Sequence, residues 1–295
     1  MVLWPSRTGN ALKGCEKMKI GIRLHDTAPG SLWERMCSAK AQGFDSMQLA
    51  LSKALPRFDI DDAPRRLDGH LAEQIRGALM IKEMECTVVG CYLKLADKNP
   101  ERLEHTRGIY RAHLAFAPKI GALAVGTESP LAYGVDMDCH SDEALDFFVE
   151  CVRPLAAYAG EVGAKLAIEP VADHVVDTPL RTEKMLDALH SDDVTIILDA
   201  VNLLTRDNYE DCDAIVDECF SRFGDRISVL HLKDFRVDAG QKRVIPMPCG
   251  MGIMRYDALL RHAAARNLPM LLENTAPENG EAARLFVMKR LAGLK

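Results

Sequence analysis

The chain has 295 residues, 48% hydrophobic and 27% charged, with a formal net charge of −6 and a pI near 5.9, which is the composition of an ordinary globular protein. Basic runs stop at pairs, so the electrostatic footprint of a nucleic-acid binder is missing, and no apolar run approaches the ~18 residues of a membrane span. Nine cysteines, an odd number with no Cys-x-x-Cys pair, argue against a disulfide framework or a cysteine zinc site and for the reducing cytoplasm.

Residues 1–17 carry Pro5, Gly9, Asn10 and Gly14 but no continuous apolar stretch, which makes a poor signal peptide. They read as a poorly ordered extension, with a single domain over residues 18–295. Lys19 to His25 is the first strand, and Ser31 to Gln42 a helix with a serine N-cap. Phe44 to Leu51 is strand two, Ser52 to Asp68 a loop, and His70 to Met84 a helix. Cys86 to Leu95 is strand three. Asn99-Pro100-Glu101 opens a helix that runs to about Ile120, and Ala122 to Gly126 is strand four, delivering Thr127 and Glu128. Ser141-Asp142-Glu143 resembles a capped start for a helix to about Val162.

Strand five follows Gly163, its exit carries Asp173 and His174, and Thr178-Pro179 starts the next helix. Strand six ends Leu198-Asp199-Ala200-Val201-Asn202, Cys212 to Phe223 is helical, and Ile227 to Phe235 is strand seven. The stretch Arg236 to Ile253, with Pro246, Pro248, Gly250 and Gly252, reads as an irregular lid. Met254 to Arg266, strand eight and a helix from Gly280 to Leu291 complete the chain. Strict alternation demands parallel strands, and the length suits a closed α/β architecture, a single (β/α)8 barrel. An open nucleotide-binding sheet would need a glycine fingerprint after strand one, and there is none.

Strands five to eight share one design, a short apolar run ending in a metal-ligand residue. Lys165-Leu-Ala-Ile-Glu ends in Glu169, Val194-Thr-Ile-Ile-Leu-Asp in Asp199, and Pro269-Met-Leu-Leu-Glu in Glu273. In Ile227-Ser-Val-Leu-His-Leu-Lys-Asp, alternation puts Val229, His231 and Lys233 on one face. The steps are 30 residues (169 to 199), 32 (199 to 231) and 42 (231 to 273), each the length of one strand, loop, helix and loop. A single acid at a strand end is usually a helix cap or a solvated loop residue. Four ligand-type residues at consecutive strand ends point instead to one divalent metal ion. Three carboxylates and one imidazole suit Mn²⁺ first, with Mg²⁺, Co²⁺, Fe²⁺ or Zn²⁺ as alternatives. Three acids converging without a cation would repel and take up protons.

From Met18 onward the chain resembles the xylose-isomerase-like barrel superfamily of sugar isomerases and epimerases, which also includes ketose 3-epimerases, inosose dehydratase and endonuclease IV. The family's strand-end Glu, Asp, His and Glu fall on Glu169 in Ala-Ile-Glu-Pro, Asp199 in Leu-Asp-Ala-Val-Asn, His231 in Leu-His-Leu-Lys-Asp and Glu273 in Leu-Leu-Glu-Asn. The resemblance implies that the metal chelates a carbonyl and the neighbouring hydroxyl of a carbohydrate. Glu169 and Glu273 then move a proton through an enediolate, and Asp199 and His231 act as ligands only.

Members near the ketose 3-epimerases often carry histidine three residues after the strand-six aspartate, where this chain has Asn202. With the acidic charge balance, that departure argues against DNA repair. Asn202, Arg236, Lys233, Glu128, His25 and His174 are the candidate substrate-binding residues, with Lys94 beside them. For Arg236 and Lys233 the plain alternative is a solvated charge, for Asp234 a loop cap, and for Cys249 simple packing. The chain has no phosphate cradle, so a free sugar or polyol is expected. The resemblance is compatible with a homo-oligomer. It also keeps open a non-turnover metal- and sugar-binding barrel, or the catalytic subunit of a C-glycoside-cleaving or dehydratase-type lyase.

Overall fold

A computed structural model describes residues 18–294; the extension expected for residues 1–17 lies outside the described residues. Eight parallel strands close into a barrel: β1 (Ile20–Arg23), β2 (Ser46–Leu49), β3 (Glu85–Gly90), β4 (Ala124–Glu128), β5 (Leu166–Glu169), β6 (Val194–Asp199), β7 (Ile227–Leu232) and β10 (Met270–Leu272). Helices follow the strands around the outside, and β1 pairs β10 to close the ring.

The strands are short and apolar on both faces because both are covered. Outward residues pack with the helices in one continuous core. Inward residues Val88, Ala124, Ala167, Ile197, Val229 and Leu271 form a separate cluster inside the barrel. Adding two to each of these positions gives Gly90, Gly126, Glu169, Asp199, His231 and Glu273, so strand alternation stacks those six on the layer above. On β1 and β2 the same step leads from Gly21 and Ser46 to Arg23 and Gln48, which are paired in register. The mouth of the barrel is therefore a ring of eight positions, one per strand, half of them glutamate, aspartate or histidine.

Helix starts follow the local signals. Ser31 and Glu34 form a capping box, Asn99 accepts from the Arg102 N–H, and Ser141 and Thr178 cap in the same way. The helix expected to reach Ile120 is α-helical only over Pro100–Phe116. It tightens to a 3-10 turn over Ala117–Ile120, where Pro118 has no N–H to give. The expected 52–68 loop contains short helical turns, Leu51–Ala54, Ile60–Asp62 and Ala63–Arg66.

Two strand boundaries differ for identifiable reasons. Strand three stops at Gly90 rather than Leu95. The buried Tyr110 hydroxyl bonds the Cys91 carbonyl at 2.6 Å and the Leu93 carbonyl at 2.9 Å, and accepts from the Leu93 N–H at 3.1 Å, supplying partners that would otherwise come from a ladder. After β7, the expected lid is built on an antiparallel pair, β8 (Asp234–Arg236) with β9 (Ile245–Met247). Asp234 holds it as a loop cap, accepting from the N–H groups of Phe235, Gly250 and Met254 at 2.8, 3.0 and 2.8 Å. Glycine is required at position 252, where a Cβ would collide with the Phe235 carbonyl and the Asp234 carboxylate. Among the described residues, no helix is long and apolar enough to cross a membrane.

Candidate metal centre

Glu169 ends β5, Asp199 ends β6, His231 is the fifth residue of β7, and Glu273 follows β10. All four are buried, and one potential ligand atom from each lies within 4.8 Å of the others. His231 Nδ1 is 3.1 Å from Glu169 Oε2 and 3.1 Å from Glu273 Oε1. Neither ring nitrogen is aligned for a hydrogen bond to any neighbour. Donors bound at right angles around one cation with bonds of about 2.1 Å stand about 3 Å apart, the spacing of His231 from each glutamate. The donor set, one imidazole and three carboxylates gathered in one buried cluster, therefore fits a divalent metal.

The carboxylates also have protein counter-charges, which the sequence did not reveal. Lys233 is buried, not solvent-extended: its Nζ lies 2.9 Å from Asp199 Oδ2 and 3.3 Å from Glu273 Oε2, and donates to Asn202 Oδ1 at 2.8 Å. Asn202 in turn donates from Nδ2 to Glu169 Oε1 at 2.6 Å, so it links Lys233 to the acid of strand five. Arg23 Nη1 is 3.4 Å from Glu273 Oε1, and Arg23 also pairs with Asp26 at 2.9 Å. The expectation that converging acids would have only a metal to offset them is thus corrected. Lys233 and Arg23 supply part of the compensation.

Burial alone would depress His231, but the carboxylates of Glu169 and Glu273 outweigh it and raise the group to about 10. Burial pushes Asp199 up to about 6 against the opposing pull of Lys233. Glu273 would also be raised by burial, yet His231 and Lys233 hold it well below the usual carboxylate range.

A cation entering the centre must therefore displace a proton from His231, and below pH 6 a second one from Asp199. Metal affinity is expected to rise about tenfold per pH unit through the neutral range, flattening near pH 10, with steeper dependence below pH 6. Calorimetric Mn²⁺ titration in buffers of different ionisation enthalpy measures the release directly. Uptake at pH 7.5 without proton release would remove His231 from the ligand set.

The remaining candidates ring the mouth. Glu128 ends β4; burial, then Glu169 and Glu273, push it up to about 7. His174 Nδ1 lies 3.7 Å from Glu128 Oε2, and burial together with Arg243 brings His174 down to about 4. His25 sits in the 3-10 turn after β1 with Nδ1 unpartnered; burial, then Arg23 and Lys53, lower it to about 3. Lys94 stands over the Tyr133 ring at 3.2 Å. Arg236 is exposed at the end of β8. Arg243, which the sequence did not mark, bonds the Asn202 carbonyl at 3.2 Å and Asp173 at 3.1 Å. Cys249 is buried, and burial pushes its thiol up to about 12, so it packs rather than reacts.

The pattern of the xylose isomerase-like TIM barrel family matches residues 38–289, and the chain belongs to that family. Sequence comparison with curated proteins finds no match. Similar solved structures include a 3-keto-D-glucoside 4-epimerase from E. coli, 17% identical, TM-score 0.70, covering 92% of this chain and 100% of that one. A D-psicose 3-epimerase from Clostridium cellulolyticum H10, solved with D-tagatose, is 15% identical, TM-score 0.71, over 93% and 99%. A xylose isomerase-like barrel from Mycobacterium smegmatis in complex with magnesium is 16% identical, TM-score 0.68, over 96% and 100%. At these identities the likeness is one of fold.

Proposed function

We propose that the protein is a divalent-metal-dependent isomerase or epimerase of a free sugar or polyol, in which Glu169 and Glu273 exchange a proton with substrate carbon. The observation that carries this reading is the pair of buried glutamates, each 3.1 Å from His231 Nδ1, within one cluster of metal-ligand residues. A metal ion, Mn²⁺ first, held by Glu169, Asp199, His231 and Glu273, would acidify the carbon beside a chelated carbonyl.

The two glutamates are held by different partners. Glu169 accepts the Asn202 amide, while Glu273 faces the cations Lys233 and Arg23 and is ionised, as a proton acceptor must be. Return of the proton to the opposite face of the same carbon is epimerisation; return to the adjacent carbon is aldose–ketose isomerisation. The likeness to sugar epimerases supports the substrate class.

The test is elemental analysis of purified protein combined with incubation of D-fructose, D-tagatose, D-psicose and L-ribulose in deuterated water, followed by NMR. The expected result is stoichiometric metal and deuterium at one carbon next to the carbonyl. Stoichiometric metal with no exchange in any ketose would overturn the isomerase reading in favour of a binding barrel or lyase subunit. No metal uptake from Mn²⁺, Mg²⁺ or Zn²⁺ would overturn the centre itself.

A further inference from the structure

Glu128 differs from the acids of the metal centre in what can reach it. Ala124 belongs to the layer inside the barrel, so alternation along β4 brings Gly126 to the mouth and Glu128, the last residue of the strand, inward again one step above. The Glu128 side chain is 37% exposed, against 2% for Glu169, 0% for Asp199 and 8% for Glu273. The charges that act on it most are Glu169, its register partner on β5, then Glu273, Lys233 and Lys53. Glu273 follows β10, the strand opposite β4 in the ring. A carboxyl group that senses the far side of the ring lies over the opening, not along the outer rim.

Within the protein this carboxylate has little to hold it. Among the described residues no donor makes a hydrogen bond to it, and its one ion-pair contact is His174 Nδ1 at 3.7 Å. His174 is fixed there by its own loop: its N–H donates to the Val171 carbonyl at 2.8 Å, and the N–H groups of Val175 and Val176 donate to the Ser129 carbonyl and Oγ at 3.2 and 3.3 Å. Burial and Arg243 bring the imidazole down to about 4, so at neutral pH it gives Glu128 no positive charge. Lys233 is occupied by Asp199, Glu273 and Asn202, and Lys53 is exposed to solvent that screens it. An accessible acceptor with open lone pairs therefore faces the space above the metal ligands.

We propose that Glu128 is a further substrate-binding residue that sets the substrate class: its carboxylate accepts hydrogen bonds from substrate hydroxyls on the β4 side of the mouth and rejects a phosphate or carboxylate placed there. A hydroxyl donates to a carboxylate, and a bond with one ionised partner is roughly twice as strong as a neutral one. A fully ionised phosphate or carboxylate has no proton to give and meets like charge. One side chain thus supplies both the attraction and the discrimination. The inference rests on the sugar or polyol reading of the site and narrows it to uncharged substrates.

The test is direct binding, measured by calorimetry with Mn²⁺-loaded protein at pH 8.5. Probes are D-fructose, D-tagatose, D-psicose and L-ribulose, each beside its terminal phosphate esters. Glu128→Gln keeps the size and removes the charge, and Glu128→Ala removes the group; melting temperature and metal content check that both fold and load. Wild type is expected to prefer the free sugar. Each variant should bind that sugar about tenfold more weakly and its ester no less tightly than wild type does, so the preference falls at least tenfold. A purely structural role would weaken both probes alike. Equal losses for sugar and ester, unchanged affinities in both variants, or a wild-type preference for the ester overturns the role of Glu128 while leaving the isomerase reading to the deuterium exchange. Failure of every sugar and ester to bind wild-type protein overturns both.

Discussion

Glu273→Gln is expected to slow deuterium uptake into the responsive ketose by about 10³-fold while the protein still takes up one Mn²⁺ at millimolar concentration. The amide keeps an oxygen where the carboxylate had one, so a neutral ligand replaces an anionic one and the cation remains held by Glu169, Asp199 and His231. What disappears is the group that receives the proton. Glu273 suits that role because Lys233 at 3.3 Å and Arg23 at 3.4 Å favour its ionised form whether or not His231 carries a proton. Glu169→Gln should cost a similar factor, because one acid removes the proton and the other returns it.

The double variant should be little worse than either single one, since the two act on one proton and their effects do not add. Exchange at the wild-type rate in metal-loaded Glu273→Gln would dismiss the two-glutamate mechanism. A split result, with exchange lost only in Glu169→Gln, would assign the base to strand five. Measuring metal content on the same samples separates a lost base from a lost cation.

The centre was legible in the sequence because its residues obey two periodicities at once. Each lies at the end of an apolar run, and the runs recur at the spacing of one βα unit, so Glu169, Asp199, His231 and Glu273 could be brought together without coordinates. Alternation from Val229 even gave the inward direction of His231 and Lys233. Arg23 was within reach of the same rule, as the residue two after Gly21 on the first strand.

Other features depend on contacts that no local pattern encodes. Gln48 reads as an ordinary polar residue of strand two, and its hydrogen-bond partner Tyr92 lies 44 residues away. Tyr92 in turn folds over Gly90, where a Cβ would stand 2.8 Å from its ring. The sequence pattern carries strand three on to Leu95 because Cys91, Leu93 and Leu95 continue its apolar character. Tyr110, on the helix that follows, partners the Cys91 carbonyl and the Leu93 backbone instead. Lys233 looked free to reach solvent until strands six and ten placed Asp199 and Glu273 against it.

Lys233→Met is expected to lower stability in metal-free buffer at pH 8 by about 3–5 kcal/mol, the usual cost of removing one partner from a buried ion pair. For a chain of this size that corresponds to a fall in Tm of roughly 10 °C. The loss should depend on pH in a defined direction. Asp199 is raised to about 6 by burial, with Lys233 opposing that rise, so its folded-state value already lies above that of the unfolded chain. Such a group withdraws stability as pH climbs through its folded-state value. Without Lys233 the folded-state value moves higher still. Wild type and variant should therefore draw closer towards pH 4, where Asp199 is protonated in both and only the loss of the Glu273 partner remains, and separate further above pH 6.

Mn²⁺ should narrow the gap, because a dication among Glu169, Asp199 and Glu273 supplies the charge that the lysine no longer does. The variant should also bind Mn²⁺ more tightly than wild type, since an ammonium 2.9 Å from Asp199 and 3.3 Å from Glu273 repels a cation sharing those carboxylates. Equal stability of the two proteins at pH 8 without metal would show that Lys233 does not compensate the cluster. Weaker Mn²⁺ binding in the variant would show that it organises the ligands rather than competing with the ion. With the expected pattern, Lys233 keeps three buried acids compatible with folding before a metal arrives, at the cost of a looser hold on the metal afterwards.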